Sequence, residues 1–227
     1  MTSKLERNLI YENPLASNED IKDFILEGSA GISFPQQRMR MENLMDQELG
    51  QKANFVLWCN RDFQADIEVE WDFWPIREPG LCMLFFSASG RNNEDIFDQL
   101  LSVRTGEYHT YYDGDINTFH VSYFRRKMLD ERAFHTCNLR KSHGFNLVCQ
   151  GADPIPSVED AAPPYHINLI KYSDQIIFKI NDLVIFQWKD DGKTYGPLLG
   201  GGKIGFRQMA PMMAEYANLK VYSIKCI

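Results

Sequence analysis

Hydrophobic and polar residues alternate along much of this chain with the two-residue period of a β-strand. The clearest case is Gln64–Trp74, where the alternate apolar residues from Ile67 to Phe73 share one face and acidic residues occupy the other. About fourteen short segments of strand character follow one another along the chain, separated by turn residues. This spacing predicts an all-β sandwich in which two antiparallel sheets pack face to face.

Segments near the carboxyl end predict how the strands connect. Ile176–Ile180 and Leu183–Trp188 flank Asn181-Asp182, a pair suited to the two-residue turn of a β-hairpin. Gly200–Gly202 then leads into a strand at Lys203–Arg207. This order is similar to the back half of a concanavalin A-like jelly roll, a galectin-like sandwich.

Other segments predict where strands lie within the sandwich. Cys82–Ser89 is almost continuously apolar, as expected of a central strand covered on both sides, although a buried helix segment would show a similar pattern. We expect the first strand, Leu9–Tyr11, to pair with the last, Asn218–Ile224. Asp95–Arg104 is compatible with a short helix inside the longest irregular connection, residues 90–117. The remaining predicted strands are Phe24–Glu27, Ile32–Phe34, Arg38–Met41, Asn54–Trp58, Thr118–Arg126, Phe134–Arg140 and Tyr165–Tyr172.

Alternation also assigns polar side chains to one face of several strands. With Phe119, Val121 and Tyr123 directed to the core, the other residues of that strand point outward. This directs His120, Ser122, Phe124 and Arg126 outward. The same argument directs Asn138 and Arg140 outward from Phe134–Arg140, and Arg207 outward from Lys203–Arg207. Planar hydrogen-bonding groups beside an aromatic ring are typical of a carbohydrate site, but the same residues also suit a solvated outer face.

The acidic stripe Glu68, Glu70 and Asp72 is a candidate for catalysis. Alternate residues of a strand lie about 6–7 Å apart on one face. Glycosidases use two carboxyl groups about 5–5.5 Å apart when they retain configuration and about 6.5–9.5 Å apart when they invert it. Glu70 and Asp72 are therefore predicted as acid and base, with His120 as a third such group. The alternative is an ordinary acidic stripe facing solvent.

Elimination is a second reaction that the residues suit. Cleaving a uronate-containing chain in this way needs a base beside the sugar carboxylate and cations that stabilise the enolate. His120, Tyr123, Arg126, Arg140 and Arg207 are of the right types. However, the predicted faces separate Tyr123 from His120, and such residues are also common in packing and ion pairs.

Composition narrows the class of protein. The chain has 227 residues, which suits one domain spanning residues 1–227, and a net charge of −7, which disfavours a nucleic-acid partner. No apolar run is long enough to span a membrane. The first residues lack the features of a signal peptide, and the number of cysteines, five, is odd. We therefore expect free thiols and a cytoplasmic protein. The Cys/His spacing predicts no metal site, and no cofactor motif is recognised.

Several longer segments resemble one bacterial family. They are Gly80–Phe86, Gly114–Phe145 and Lys203–Met212, supported by Gly151–Pro154 and Thr194–Pro197. They resemble the YesU-like proteins, a family of unknown function with a concanavalin A-like jelly roll, from about Tyr11 to Tyr222. The resemblance implies this fold and an association with bacterial carbohydrate utilisation; it supplies no catalytic residue.

The wider superfamily also includes glucanases with a Glu-x-Asp-x-x-Glu strand pattern. Glu70 and Asp72 match its first two acids, but Trp74 or Pro75 stands in place of the last glutamate. This departure argues against a glucanase-type retaining hydrolysis.

Together these observations predict a jelly roll whose concave sheet binds an oligosaccharide. The leading hypothesis is an enzyme, hydrolase or lyase, acting on imported plant-type, including pectic, oligosaccharides; the alternatives are a non-catalytic lectin and a structural or oligomerisation domain. The predicted catalytic residues are Glu70, Asp72 and His120. The predicted substrate-binding residues are Trp71, Trp74, Ser122, Arg126, Asn138, Arg140 and Arg207. Edge strands offer a route to a homodimer.

Overall fold

Two antiparallel β-sheets form the protein in a computed structural model that describes residues 5–126 and 135–226. In chain order the strands are β1 (Leu5–Asn13), β2 (Phe24–Glu27), β3 (Ala30–Ser33), β4 (Met39–Asn43), β5 (Phe55–Phe63), β6 (Ile67–Arg77), β7 (Gly80–Gly90), β8 (Ile116–Arg126), β9 (Thr136–Ser142), β10 (Asn146–Ala152), β11 (Tyr165–Tyr172), β12 (Gln175–Ile180), β13 (Leu183–Lys189), β14 (Gly202–Gln208) and β15 (Met213–Cys226). The predicted all-β jelly-roll sandwich is confirmed.

The eight-stranded sheet, sheet A, has the order β13-β12-β11-β6-β15-β4-β3, with β1 also paired to β15. The seven-stranded sheet, sheet B, has the order β10-β9-β8-β7-β14-β5-β2. The predicted pairing of the first strand with the last is confirmed, since Leu9 lies opposite Tyr222. β10 was not predicted, and Phe134 lies outside the described residues. Homodimer formation through edge strands stays a prediction.

The inward faces of the two sheets enclose one large hydrophobic core. Trp71 and Phe73 of sheet A pack against Tyr123 of sheet B, with ring centroids 5.9 and 5.1 Å apart respectively. Cys59, Cys82 and Cys137 are buried free thiols. Burial of these apolar side chains is the main favourable contribution to folding.

A second apolar cluster lies on the outer face of sheet B. Trp58 of β5 and Phe85 of β7 project from the strands on either side of β14 and are covered by Ile96 and Tyr111 of the connection after β7. The only α-helix of the described residues, α1 (His109–Tyr112), lies in this connection. The connection therefore covers part of the sheet face that faces away from the core.

The helix expected over Asp95–Arg104 does not form. Asp95 Oδ1 accepts from the Phe97 amide at 2.8 Å, and Asp98 Oδ1 accepts from the Leu100 amide at 2.9 Å. These local bonds stabilise successive turns in place of a helix. Short 3₁₀ turns occur instead elsewhere, at Pro35–Gln37, Gln47–Ala53 and Val158–Asp160.

A bulge in β8 changes the side chains that face outward. Tyr123 lies opposite Cys82 but Arg126 lies opposite Gly80, so β8 has one more residue than β7 between these pairs. Phe124, at φ 47°, consequently joins Tyr123 in the core. The outward direction predicted for Phe124 is thus wrong, because one extra residue shifts the alternation beyond it.

Candidate functional site

A pocket of about 430 Å³ opens on the outer face of sheet B, beside the apolar cluster described above. We call it the sheet B pocket. Its lining residues are Gln51, Leu81, Met83, Tyr108, Ser122, Arg125, Asn138, Arg140, Phe145, Leu147, Gln150, Arg207 and Met209. Strands β7 to β10 and β14 supply the floor, and the connections between strands supply the walls.

Strand register places the floor residues in two rows across the sheet. The first row runs Arg207, Met83, Ser122, Asn138 and Gln150, each directly opposite the next on neighbouring strands. Opposed side chains on one face lie about 4.5–5.5 Å apart at Cβ. The row therefore forms a continuous polar track interrupted by a single methionine.

The second row runs Trp58, Gly205, Phe85, His120, Arg140 and Leu147. Gly205 is needed here, because a Cβ at this position would lie 2.5 Å from Cε3 of Trp58. The Trp58 ring thus lies over the glycine and packs on Phe85, with centroids 5.4 Å apart.

His120 and Tyr108 form a hydrogen-bonded pair at the pocket. The Tyr108 hydroxyl oxygen lies 2.6 Å from Nε2 of His120. His120 is fully buried, and its Nδ1 has no partner among the described residues. Tyr108 lines the pocket, so a ligand there would meet the tyrosine and reach the histidine only through it.

Burial and neighbouring charge keep this pair in its uncharged form. Burial, then the charges of Arg140 and Arg207, lower the pKa of His120 to about 3. Burial likewise raises the pKa of Tyr108 to about 12, against the opposing effect of the same two arginines. At neutral pH the pair is therefore a neutral imidazole beside a protonated phenol.

This pKa of His120 predicts a specific dependence of stability on pH. Between pH about 6.5 and about 3 the unfolded histidine binds a proton that the folded one does not, so stability rises with pH by about 1.4 kcal/mol per unit. The charged or titratable groups that face His120 are Tyr108, Arg140 and Arg207. Substitution His120→Asn should remove this slope while leaving the slopes of the carboxylates in place.

Urea denaturation of both proteins at about pH 5.5 and about pH 4.5 measures this difference. The gap in unfolding free energy between His120→Asn and the parent should change by about 1.4 kcal/mol in favour of the variant on acidification. An unchanged gap would mean that folded His120 titrates normally.

Arg207 is buried without a carboxylate partner among the described residues. One of its terminal nitrogens donates to Gln51 Oε1 and to the Gly106 carbonyl, each at 3.2 Å, the other lies 4.0 Å from the Met83 sulfur, and Nε has no partner among the described residues. Its Cζ lies 4.9 Å from the Tyr108 ring centroid. Burial lowers the pKa of this guanidinium.

Arg140 and Asn138 contribute further polar groups from β9. Arg140 donates to the Phe145 carbonyl at 2.9 Å, and its Cζ lies 3.7 Å from the Phe145 ring centroid. No carboxylate of the described chain forms an ion pair with Arg140. Asn138 Oδ1 accepts from Gln150 Nε2 at 2.7 Å. Ser122, Asn138, Arg140 and Arg207 are thus brought together as predicted residues of one pocket.

Glu70 and Asp72 lie on the opposite side of the molecule, on the outer face of sheet A. Glu70 is paired with Arg7 at 2.9 Å, and Asp72 accepts from Asn218 at 2.8 Å and lies 3.1 Å from His166 Nδ1. Two sheets and the core separate these carboxylates from His120, and packed sheets are about 10 Å apart. The three predicted catalytic residues therefore cannot act on one bond.

Trp71, Trp74 and Arg126 do not line the sheet B pocket, although Trp74 has the outward direction that alternation predicts. Trp71 is fully enclosed in the core and cannot stack on a sugar. Trp74 lies on the outer face of sheet A beneath the Arg38 guanidinium, with Cζ 4.6 Å from its ring centroid. Arg126, beyond the bulge of β8, pairs instead with Asp153 at 3.3 Å.

Sequence reasoning missed the residues that form the pocket walls. Tyr108 and Phe145 come from connections, and their rings lie 5.6 Å apart. Gln51 comes from a 3₁₀ turn before β5. The one available signal was the aromatic, polar character of residues 105–117, because long connections are often functional.

A model of a known family, described as "Domain of unknown function (DUF1961)", matches residues 8–221. The chain belongs to the DUF1961 family. The uncharacterized protein YesU of Bacillus subtilis (strain 168) is 53% identical to this DUF1961 protein over 213 residues, covering 94% of each chain. The predicted YesU-like resemblance is confirmed.

Solved structures agree with the fold of this DUF1961 protein. A protein of unknown function with a galectin-like fold from Bacillus subtilis superposes with a TM-score of 0.93 at 50% identity, covering 99% of this chain and 100% of the other. An endo-β-1,3-glucanase from Pyrococcus furiosus gives a TM-score of 0.61 at 11% identity, with 97% and 96% covered. The carbohydrate binding module CBM66 from Bacillus subtilis gives 0.52 at 12%, with 88% and 96% covered. The last two likenesses show a shared fold.

Two further features of the described residues bear on membranes and metal ions. Within residues 5–126 and 135–226 no helix has the length and apolar character needed to cross a membrane. In the same part of the chain, no group of three or more His, Cys, Asp or Glu side chains could hold a metal ion.

Proposed function

We propose that this protein is carbohydrate-active and binds an oligosaccharide in the sheet B pocket. The observation that carries the proposal is the row Arg207, Ser122, Asn138 and Gln150 on the outer face of one sheet, beside the rings of Tyr108 and Phe145. Planar donors and acceptors orient sugar hydroxyl groups, and aromatic rings offer apolar surface to the sugar ring. The names of two solved neighbours, a carbohydrate binding module and a glucanase, support the same ligand class.

Binding is tested with oligosaccharides derived from pectin, ulvan and glucan, by thermal shift followed by calorimetry. A ligand that binds only the folded state raises the melting temperature. Asn138→Ala should weaken binding about tenfold, since it removes one hydrogen-bonding group from the floor. Gln187→Ala is the matched control, an exposed amide on sheet A bonded to Gln175. Failure of every oligosaccharide to bind, or equal losses in both variants, would contradict the proposal.

A second candidate is an enzyme at the same pocket, favoured by the Tyr108–His120 pair. A tyrosine held on a buried imidazole can pass a proton to or from a reacting group. Hydrolysis by a carboxylate pair has less support, because Glu70 and Asp72 lie on sheet A and no Asp or Glu of the described residues lines the pocket. An enzyme is thus expected to work through Tyr108, and a lectin to bind without turnover.

Products distinguish these alternatives on any oligosaccharide that binds. Hydrolysis adds water and yields saturated products, whereas elimination yields a product with a new carbon–carbon double bond. For an enzyme, Tyr108→Phe should lower turnover about a hundredfold or more with binding retained, and Glu70→Gln should leave it unchanged. Binding without either product assigns the pocket to a lectin.

A further inference from the structure

Arg207 carries a positive charge that the described part of the protein does not compensate. It is 1% exposed, and its acceptors, the Gln51 amide, the Gly106 carbonyl and the Met83 sulfur, are all uncharged. Its Nε is buried and has no hydrogen-bond partner in the part of the chain that the structure describes. Removing a charge from water without pairing it is unfavourable. A ligand that supplies the opposite charge would offset this cost.

Arg140 adds a second unpaired guanidinium to the same pocket. Its contacts are the carbonyl and ring of Phe145. Elsewhere the chain pairs its partly buried arginines with carboxylates, as Arg104 is with Glu27, Arg38 with Glu215 and Arg126 with Asp153. Arg140 and Arg207, for which no carboxylate of the described residues is an ion-pair partner, both line the sheet B pocket.

The anion that these arginines suit is a carboxylate carried by a sugar. A guanidinium presents a planar fork of donors that matches the two oxygens of a carboxylate. The net charge of the chain is −7, so its overall field repels polyanions and the attraction must be local. Ser122 is on β8, between the strands that carry the two arginines, and Asn138 is two residues from Arg140 on β9; both side chains are suited to neutral hydroxyl groups.

We infer that the sheet B pocket receives an acidic oligosaccharide, with uronate carboxylates bound by Arg140 and Arg207. This inference rests on the proposed function, since it names the class of sugar that the same pocket takes. The carboxylate would complete the hydrogen bonding of Arg207 and neutralise two charges that otherwise act on Tyr108 and His120.

An acidic sugar also defines a reaction that the pocket can support. The carbon beside the carboxylate carries an acidic proton, which a base removes. The electron pair of that C–H bond forms a carbon–carbon double bond as the adjacent C–O bond to the leaving sugar breaks, and the leaving oxygen takes up a proton. The step consumes no water and needs no oxidant. The Tyr108 hydroxyl, hydrogen-bonded to His120 and on a ring that contacts Arg207, holds an exchangeable proton for this step.

The test compares three oligosaccharides of equal length by calorimetry: a tetragalacturonate, the same tetramer with its carboxylates methyl-esterified, and a neutral glucan tetramer. The acid should bind at least about tenfold more tightly than its ester. Of these three ligands, added salt should weaken the binding of the acid alone. A sulfated neutral tetramer serves as a fourth probe. Sulfate binding equal to that of the acid would overturn the carboxylate assignment.

Variants locate the effect in the pocket. Arg140→Gln and Arg207→Gln should each weaken binding of tetragalacturonate about ten- to a hundredfold and leave the methyl ester unchanged. Arg61→Gln, an exposed position of β5, removes the same charge outside the pocket and should have little effect. Arg140 is only partly buried, so its variant stays informative if Arg207→Gln fails to fold.

The outcomes separate this inference from the proposed function. If the ester or the glucan binds as tightly as the acid, with loss in Asn138→Ala, the pocket binds sugar but the acidic subsite is wrong. If Arg61→Gln loses as much affinity for tetragalacturonate as Arg140→Gln does, the assignment of the acidic subsite is also wrong. If none of the four tetramers binds, both proposals fall.

Discussion

Replacing Glu27 by alanine is expected to lower the free energy of unfolding by about 3–5 kcal/mol. The Glu27 carboxylate is buried and accepts from Trp58 Nε1 at 2.8 Å, from the Tyr111 hydroxyl at 2.8 Å and from Arg104 at 2.6 Å. Its removal leaves the Arg104 charge and two neutral donors buried without their acceptor. Leaving a buried charge unpaired is among the most destabilising single changes in a protein.

Urea or guanidinium denaturation of the two proteins measures this loss. Glu27→Gln keeps the volume and one acceptor oxygen, so its loss should be smaller than that of alanine. Glu19→Ala removes a carboxylate that pairs with Lys22 on the surface and should leave the transition midpoint unchanged. Equal transitions for Glu27→Ala and Glu19→Ala would show that the buried network does not support the fold.

The same carboxylate links stability to the sheet B pocket. Tyr111 packs on Trp58 and Phe85 and belongs to the short helix that follows Tyr108. Glu27→Ala should therefore also weaken oligosaccharide binding, because the hydrogen bond from Tyr111 to Glu27 holds in place the pocket wall that carries Tyr108.

Replacing Trp71 by alanine is expected to cost about 3–5 kcal/mol, as is usual for a large aromatic residue in a core. Trp71 has no exposed surface, packs edge-on against Phe206 at 5.8 Å and donates from Nε1 to the Tyr123 hydroxyl at 3.2 Å. The substitution opens a cavity between the sheets and deprives Tyr123 of its donor.

Trp74→Ala is the matched control, three residues further along the same strand. Trp74 is half-buried on the outer face of sheet A. Trp74→Ala should therefore lower the free energy of unfolding by less than half as much as Trp71→Ala does. Thermal and chemical denaturation compare the two variants. A larger loss at Trp74 would mean that the faces of β6 are reversed. Trp71→Phe should cost less than Trp71→Ala, since it keeps one six-membered aromatic ring and loses the pyrrole ring and one hydrogen bond of about 1 kcal/mol.

Local pattern was sufficient for the architecture of this protein. Alternation predicted β6 and its buried face, and the Asn181-Asp182 turn placed the hairpin of β12 and β13. It also predicted that Ser122, Asn138, Arg140 and Arg207 point away from the core, because the two-residue period of a strand is a property of the backbone. The continuous apolar run of β7 correctly indicated cover on both faces.

The pattern could not say which outward residues share a sheet. Glu70, Asp72 and His120 all point outward, but from opposite sheets, and strand order is set by packing over long sequence separations. Nor could it place Arg126, since the bulge at Phe124 shifts the alternation after it. A single extra residue has no reliable local signature.

By itself, the sequence determined the sandwich, the period of its strands and the residue types available on their outer faces. Only the tertiary structure decided that four of the predicted residues meet Tyr108 and Phe145 in one pocket, and that the acidic stripe does not. The physical reason is that alternation is local to a strand, whereas a site joins distant strands and loops whose positions depend on burying the whole core.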